Sequence, residues 1–232
     1  MKMSDGKNTG EFLAAKLQTT VINNSILGSS NERIFRTSLR DLINLKKTTN
    51  EKITAIVGLS YIYRKSIWDP LGQDDRWKQS NDGEFACYQI FQGENWLEKL
   101  FKNQSFNNMP EHLKKYSKEI ALFYNPEAEV TNLLQSVELF STWCENNNID
   151  YIIFSGPRQE DIIDFTAPFV EPFYNSVVIK KNVLNLFEFS FCEYCASQGF
   201  KGFDFEIFGK YAHHGQAAHE KFADFLIEQY NL

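Results

Sequence analysis

Long apolar runs are missing from this chain. No window approaches the ~20 residues that a helix needs to cross a bilayer, and Met1–Gly6 lacks the apolar core of a secretory signal. A membrane partner is therefore not expected. Basic tracts are missing too: 24 Lys and Arg are scattered among 30 Asp and Glu, for a net charge of −6. That balance argues against nucleic acid, because phosphate binding needs a concentrated cationic face. Histidine and cysteine are scarce, at four each. Cys192 and Cys195 form a C-x-x-C within Phe187–Gln198, which reads as a helix. A thioredoxin-type motif follows a strand at a helix start, and zinc needs two further ligands. Cys87 and Cys144 have no matching spacing, so the four thiols read as core or surface residues. No metal and no cofactor is expected, and the chain reads as cytoplasmic with reduced cysteines. Repeats and low-complexity segments are absent as well.

What the chain has is material for a core. Twenty-one Phe and an aromatic content of 15% let 232 residues bury a large interior without disulfides, most simply as one α/β domain over 1–232. The stretch that organises it is Val21–Leu42. Val21-Ile22 opens a short strand, Gly28-Ser29-Ser30-Asn31 makes a tight turn, and Ile34, Phe35, Leu39 and Leu42 recur at helical spacing. Ser30 or Asn31 can cap the helix. Gly28 leaves its N–H uncovered by a side chain beside a helix N-terminus, where negative charge is attracted. The same turn would also serve as a plain βα connection.

Before this stretch, Glu11–Leu17 is an amphipathic helix, so the chain begins on a helix where an α/β fold usually begins on a strand. After it, Ile53–Gly58 is a short β-branched run of the kind buried in parallel sheets. Two strands joined by a helix of this length imply a right-handed βαβ unit. Residues 61–104 form an aromatic-rich insertion without clean periodicity. Met109–Phe123 and Glu127–Asn146 read as helices, the second burying Val130, Leu133, Leu134, Val137, Phe140 and Trp143. Tyr151–Phe154 is the next strand, closed by Ser155-Gly156-Pro157. Arg158–Pro172 reads as a loop with a helical turn, Val177–Ile179 as a short strand, Asn185–Ser197 as a helix, and Gly202–Phe208 as a loop or edge strand. Helix Gln216–Tyr230 ends the chain, with Ala218, Phe222, Phe225 and Leu226 facing inward.

Ligands in open parallel sheets bind beyond the carboxyl ends of the strands. Gly28-Ser29-Ser30-Asn31, Gly58-Leu59-Ser60 and Ser155-Gly156-Pro157 end there. Three of the four histidines lie in Tyr211–His219, at the start of the last helix, where an imidazole can act as a base near pH 7. A helical offset of six separates His213 from His219, which reads as a packing or capping residue; His112, at a helix start, reads as solvated.

These segments, in this order, resemble the SGNH (GDSL-like) hydrolase superfamily, specifically its small uncharacterised members common in phage and marine bacteria. The family carries a Gly-Asp-Ser nucleophile block, an oxyanion Gly, a Gly-x-Asn and a final Asp-x-x-His. Gly28 in ILGSSN is similar to the second block, Gly58-Leu59-Ser60 to the third with Ser for Asn, and Ala212–His219 to the last, with His213 at the catalytic position. The resemblance implies a flavodoxin-like three-layer α/β/α sandwich with a mostly parallel sheet of four or five strands. It also implies His213 as general base, with Gly28 and Ser60 as oxyanion donors.

The departures decide the function expected. The first strand and its serine-bearing turn are missing or atypical, with Ser4-Asp5-Gly6 only a reversed echo. Lys210 replaces the acid three residues before His213, and Asp204 or Glu206 could substitute only by folding back. Acyl transfer needs a nucleophile touching a base beside oxyanion donors. The reading is therefore a degenerate SGNH-like pseudoenzyme that acts by binding a protein partner or a second copy of itself, in a host cytoplasm or a phage particle. The alternative is an active esterase or acetylhydrolase taking a small ester. Strands Val21–Ile26 and Ile53–Gly58 are expected to pair directly or through the N-terminal segment, since a lost central strand would leave backbone groups unpaired.

Overall fold

The computed structural model describes residues 7–25, 29–62, 64–68, 85–89, 111–157, 164–202 and 214–232. Within them the chain is mixed α/β. Its elements are α1 (Thr9–Leu17), α2 (Asn31–Thr48), β1 (Thr54–Leu59), β2 (Arg64–Trp68), β3 (Phe85–Gln89), α3 (Glu111–Leu122), α4 (Pro126–Asn146), β4 (Asp150–Ser155), α5 (Glu171–Val178), α6 (Phe191–Ser197) and α7 (Gln216–Tyr230).

The centre is a parallel pair, β1 and β4, in register from Thr54↔Asp150 to Leu59↔Ser155. Alternation along these strands fills two separate cores. Ala55, Val57, Leu59, Tyr151 and Ile153 face a core with Phe35 and Leu42 of α2, the buried stripe of α4, and Val177 of α5. Ile152 and Phe154 face the other way, against Leu13 of α1 and Phe222, Ala223 and Leu226 of α7, with Phe191 and Tyr194 of α6 beside them. Gly58 pairs with Phe154, and a Cβ there would stand 3.1 Å from the Phe154 ring, so the ring lies over the bare backbone.

The free edge of β4 is covered by residues 183–190. Ile153 pairs with Val183 and Ser155 with Ser190, both in parallel sense, and the Ile153 N–H and C=O bond Asn182 O and Leu184 N at 2.9 Å.

Helix ends follow from their caps. The Asn8 side chain and Glu11 make a reciprocal capping box for α1. Ser30 caps α2 by accepting from Arg33 N, and Asn125 caps α4 ahead of Pro126 in its first turn.

Three sequence expectations are corrected here. Val21–Ser25 belong to no strand, and Val21 and Ile22 are 39% and 63% exposed. The asparagines that follow explain it: Asn23 Oδ1 accepts from Ser25 N at 3.0 Å, and Asn24 Nδ2 donates to Asp41 at 2.7 Å. Those bonds engage the segment with its own backbone and with α2, where a strand would need a partner backbone. The expected pairing of this segment with Ile53–Gly58 accordingly does not occur over residues 21–25, and residues 26–28 lie outside the described residues. Val177–Ile179 is the end of α5 and its exit, with Val177 buried while Val178 and Ile179 are exposed. The helix expected from Asn185 starts only at Phe191, because Asn185 Oδ1 accepts from Phe187 N in a turn and Ser190 is tied to Ser155 before capping α6.

The insertion at 61–104 also holds more order than its sequence suggests. β2 and β3 pair antiparallel, from Arg64↔Gln89 to Trp68↔Phe85. Of Gly202–Phe208, only Gly202 lies within the described residues.

Candidate functional site

Three chain segments converge at the carboxyl end of the parallel pair. Gly156 N donates to Leu59 O at 2.9 Å, and a Cβ on Gly156 would also stand 2.9 Å from that oxygen, so only glycine lets β4 close on β1 here. Ser60 follows Leu59 and is buried. Asn31, at the first turn of α2, grips it from both sides: Ser60 N donates to Asn31 Oδ1 at 2.7 Å, and Asn31 Nδ2 donates to Ser60 O at 3.1 Å. One primary amide thus replaces the two ladder bonds that a neighbouring strand would have supplied, fixing the end of β1 to the start of α2.

Two guanidinium groups complete this edge, and each meets a serine hydroxyl. Arg33, only 6% exposed, donates through Nη1 to Ser29 Oγ at 3.1 Å. Arg64 Nη1 donates to Ser60 Oγ at 2.8 Å, and its guanidinium lies 5.2 Å from the centre of the Tyr61 ring. Next to it, Lys65 ties β2 to α2 and α4 through Glu32, at 3.0 Å, and Glu129. Burial works to lower the Lys65 pKa, but the two carboxylates outweigh it and hold it above the ordinary value.

A second polar cluster lies on the opposite face. Ser190 pairs with Ser155, so Phe191 begins α6 beside the end of β4. His219 stacks on the Phe191 ring at 4.8 Å, and His214 meets the same ring edge-on at 5.7 Å. Thr9 Oγ1 hydrogen-bonds His219 Nδ1 at 2.9 Å, joining α1 to α7. Burial first, and His214 second, hold the His219 pKa below its ordinary 6.5.

The direction of that shift sets a pH dependence. The unfolded chain binds this proton more readily than the folded one, so the contribution of His219 is complete above about pH 6.5 and is lost as the pH falls toward the folded value. Thermal unfolding followed from pH 8 to pH 5 should show a smaller fall in Tm for His219→Gln than for the parent chain. Equal falls would show that this ring is not the sensitive group.

Of the three site residues inferred from sequence, Ser60 is the one within the described residues; Gly28 and His213 lie outside them, as do Ser4–Gly6, Asp204, Glu206 and Lys210. The Ser60 amide is engaged with Asn31, so an oxyanion role for this residue falls to its hydroxyl. The Asn31 clamp, the Arg33 and Arg64 contacts and the Thr9–His219 pair were not read from sequence. Asn31 contacts a residue 29 positions away, and Thr9 one 210 positions away. The local signal is the S-x-x-x-R spacing shared by Ser29 and Arg33 and by Ser60 and Arg64.

The C-x-x-C sits in α6, with Cys195 buried and Cys192 half-buried. Burial, helped by Cys192, pushes the Cys195 thiol up to about 12, and burial beside Glu145 pushes Cys144 up to about 12 as well. Neither forms thiolate near neutrality. Mass-resolved titration of the native chain with a thiol reagent at pH 7.5 should leave Cys144 and Cys195 unmodified until denaturant is added; rapid native labelling of Cys195 would contradict this.

Among the described residues no three His, Cys, Asp or Glu side chains converge as a metal would require, and no helix is long and apolar enough to cross a membrane. Comparison with protein-family models, with characterised proteins and with solved structures finds no match.

Proposed function

We propose that this chain is a binding protein built on a degenerate SGNH-like scaffold and does not hydrolyse esters. The proposal takes the helices packed on the two faces of β1 and β4 as the outer layers of a flavodoxin-like three-layer sandwich with four or five mostly parallel strands. Its ligand seat is the edge formed by Ser29–Asn31, Ser60 and Ser155–Gly156.

One observation carries the reading. The Ser29 and Ser60 hydroxyls accept hydrogen bonds from Arg33 and Arg64. A serine becomes a nucleophile when a base takes its proton. A guanidinium stays charged and can only donate, so it occupies one oxygen lone pair and cannot take the hydroxyl proton. The same contacts suit binding, because a hydroxyl that accepts from a cation becomes a stronger donor to an anionic ligand. The ligand is a group on a protein partner or on a second copy of the chain.

A second reading rests on Thr9 and His219. A hydroxyl 2.9 Å from an imidazole is the contact that an active esterase would use, independently of His213, Gly28 and Ser60.

Hydrolysis of p-nitrophenyl acetate by the full chain, beside His213→Ala and Thr9→Val, separates the readings. The expected result is turnover no faster than buffer with all three proteins. Turnover abolished in His213→Ala would establish the SGNH-type enzyme, and turnover abolished in Thr9→Val would establish the Thr9–His219 one.

A further inference from the structure

Several cations among the described residues are neutralised by carboxylates. Lys65 meets Glu32 and Glu129, Lys16 meets Glu220 and Asp224, Arg40 meets Asp41, and Lys180 meets Glu138 and Glu145. Arg64 is held differently. Its partners are a serine hydroxyl and an aromatic ring, Ser60 Oγ at 2.8 Å and Tyr61 at 5.2 Å, and no carboxylate among the described residues lies within ion-pair distance of it. Both contacts orient the guanidinium without cancelling its charge.

The residues that orient it are themselves anchored by hydrogen bonds and strand pairing. Ser60 is fixed by the two-bond Asn31 clamp, and Asn31 belongs to the first turn of α2. Arg64 opens β2, which runs antiparallel to β3 from the Arg64↔Gln89 pair, and the next residue is anchored by two carboxylates. A guanidinium is a planar fork of donors. With Nη1 on Ser60, the opposite Nε–Nη2 edge is the pair that matches two coplanar acceptor oxygens. The Arg64 residue as a whole is partly exposed.

We propose that Arg64 is the anion-recognition residue of this edge, taking two oxygens of a carboxylate or phosphate on the ligand. Ser60 and Tyr61 are the residues that aim it. The inference rests on the binding reading above and narrows the ligand to an oxyanion-bearing group. In a chain of net charge −6, an anionic ligand needs a local positive group to overcome the overall repulsion.

The test uses the whole chain, labelled with nitrogen-15, and watches the Arg64 Nε–Hε signal, assigned by its disappearance in Arg64→Gln. Sodium acetate and sodium phosphate are the probes, each titrated at constant ionic strength against sodium chloride. The expected result is a saturable shift of the Arg64 signal and of the Ser60 amide with acetate or phosphate and not with chloride. In Arg64→Gln the Ser60 response should need at least about tenfold more anion, the factor for losing one charge-assisted pair, and Arg64→Lys should fall between. A response to acetate alone assigns a carboxylate, and a response to phosphate alone assigns a phosphate. An Arg64 signal that does not move, or moves equally with chloride, overturns the assignment from the parent chain alone, whatever the variants do. Hydrolysis of p-nitrophenyl acetate together with a saturable Arg64 shift would refute the binding reading and leave the anion site standing.

Discussion

Replacing Phe222 with alanine is expected to destabilise the chain by about 4 kcal/mol, as measured for large-to-small changes at filled core sites. The side chain is 0% exposed and is the meeting point of one whole face of the sheet. Its ring lies edge-on to Phe154 of β4 at 4.9 Å and to Phe191 of α6 at 5.0 Å, and within 5.6 Å of Tyr194 and Phe225. Leu13 of α1 shares the cluster. Neighbours drawn from β4, α1, α6 and α7 cannot all move inward at once, so the cavity stays open. For a domain of this size the loss corresponds to a fall in Tm of about 10 °C. Leu139→Ala, at a position 72% exposed, is the control, with an expected change inside about 0.5 kcal/mol. Similar values for the two variants would show that the α1–α7 face is not a cooperative core.

Replacing Asn31 with alanine is expected to cost about 3 kcal/mol, a large figure for a polar side chain at a helix start. The reason is the position of its partner. Ser60 is buried at the exit of β1, and alanine would remove at once the acceptor for its N–H and the donor to its C=O. Each bond contributes about 1 kcal/mol net, and a buried group left without its partner costs about 1–3 kcal/mol. Denaturant unfolding gives the total. Hydrogen exchange gives the location, since the Ser60 amide should exchange far faster in the variant while amides in the middle of α4 change only with global stability. A Ser60 amide as protected as in the parent chain would mean that the clamp is not what holds it.

The contrast between these two residues shows what the sequence can and cannot say. Phe222 was legible: Ala218, Phe222 and Leu226 recur at helical spacing, and α7 runs from Gln216 to Tyr230 as the pattern indicates. The stripe of α4 and the β-branched runs of β1 and β4 were legible for the same reason, because burial imposes a period on residue type. Val21-Ile22 misled because a two-residue run carries no period, and the Asn23 and Asn24 side chains bond the local backbone and Asp41 of α2. Asn31 was visible only as a capping candidate beside Ser30. Its bonds to Ser60 depend on how α2 returns to β1, which is a property of the packed chain. Arg64 is hidden in the same way, since its charge is evident in the sequence and its lack of a carboxylate partner is not.

The most direct test of the central claim, that this edge binds and does not attack, is the intact mass of the full chain after incubation with a reactive fluorophosphonate, compared with the untreated protein. Such probes bond covalently to a hydroxyl that a base has activated. The account predicts an unchanged mass under native conditions, with Ser29 and Ser60 held by Arg33 and Arg64. A single adduct formed only by the folded chain, mapped to Ser60, Thr9 or any other hydroxyl residue, would contradict it.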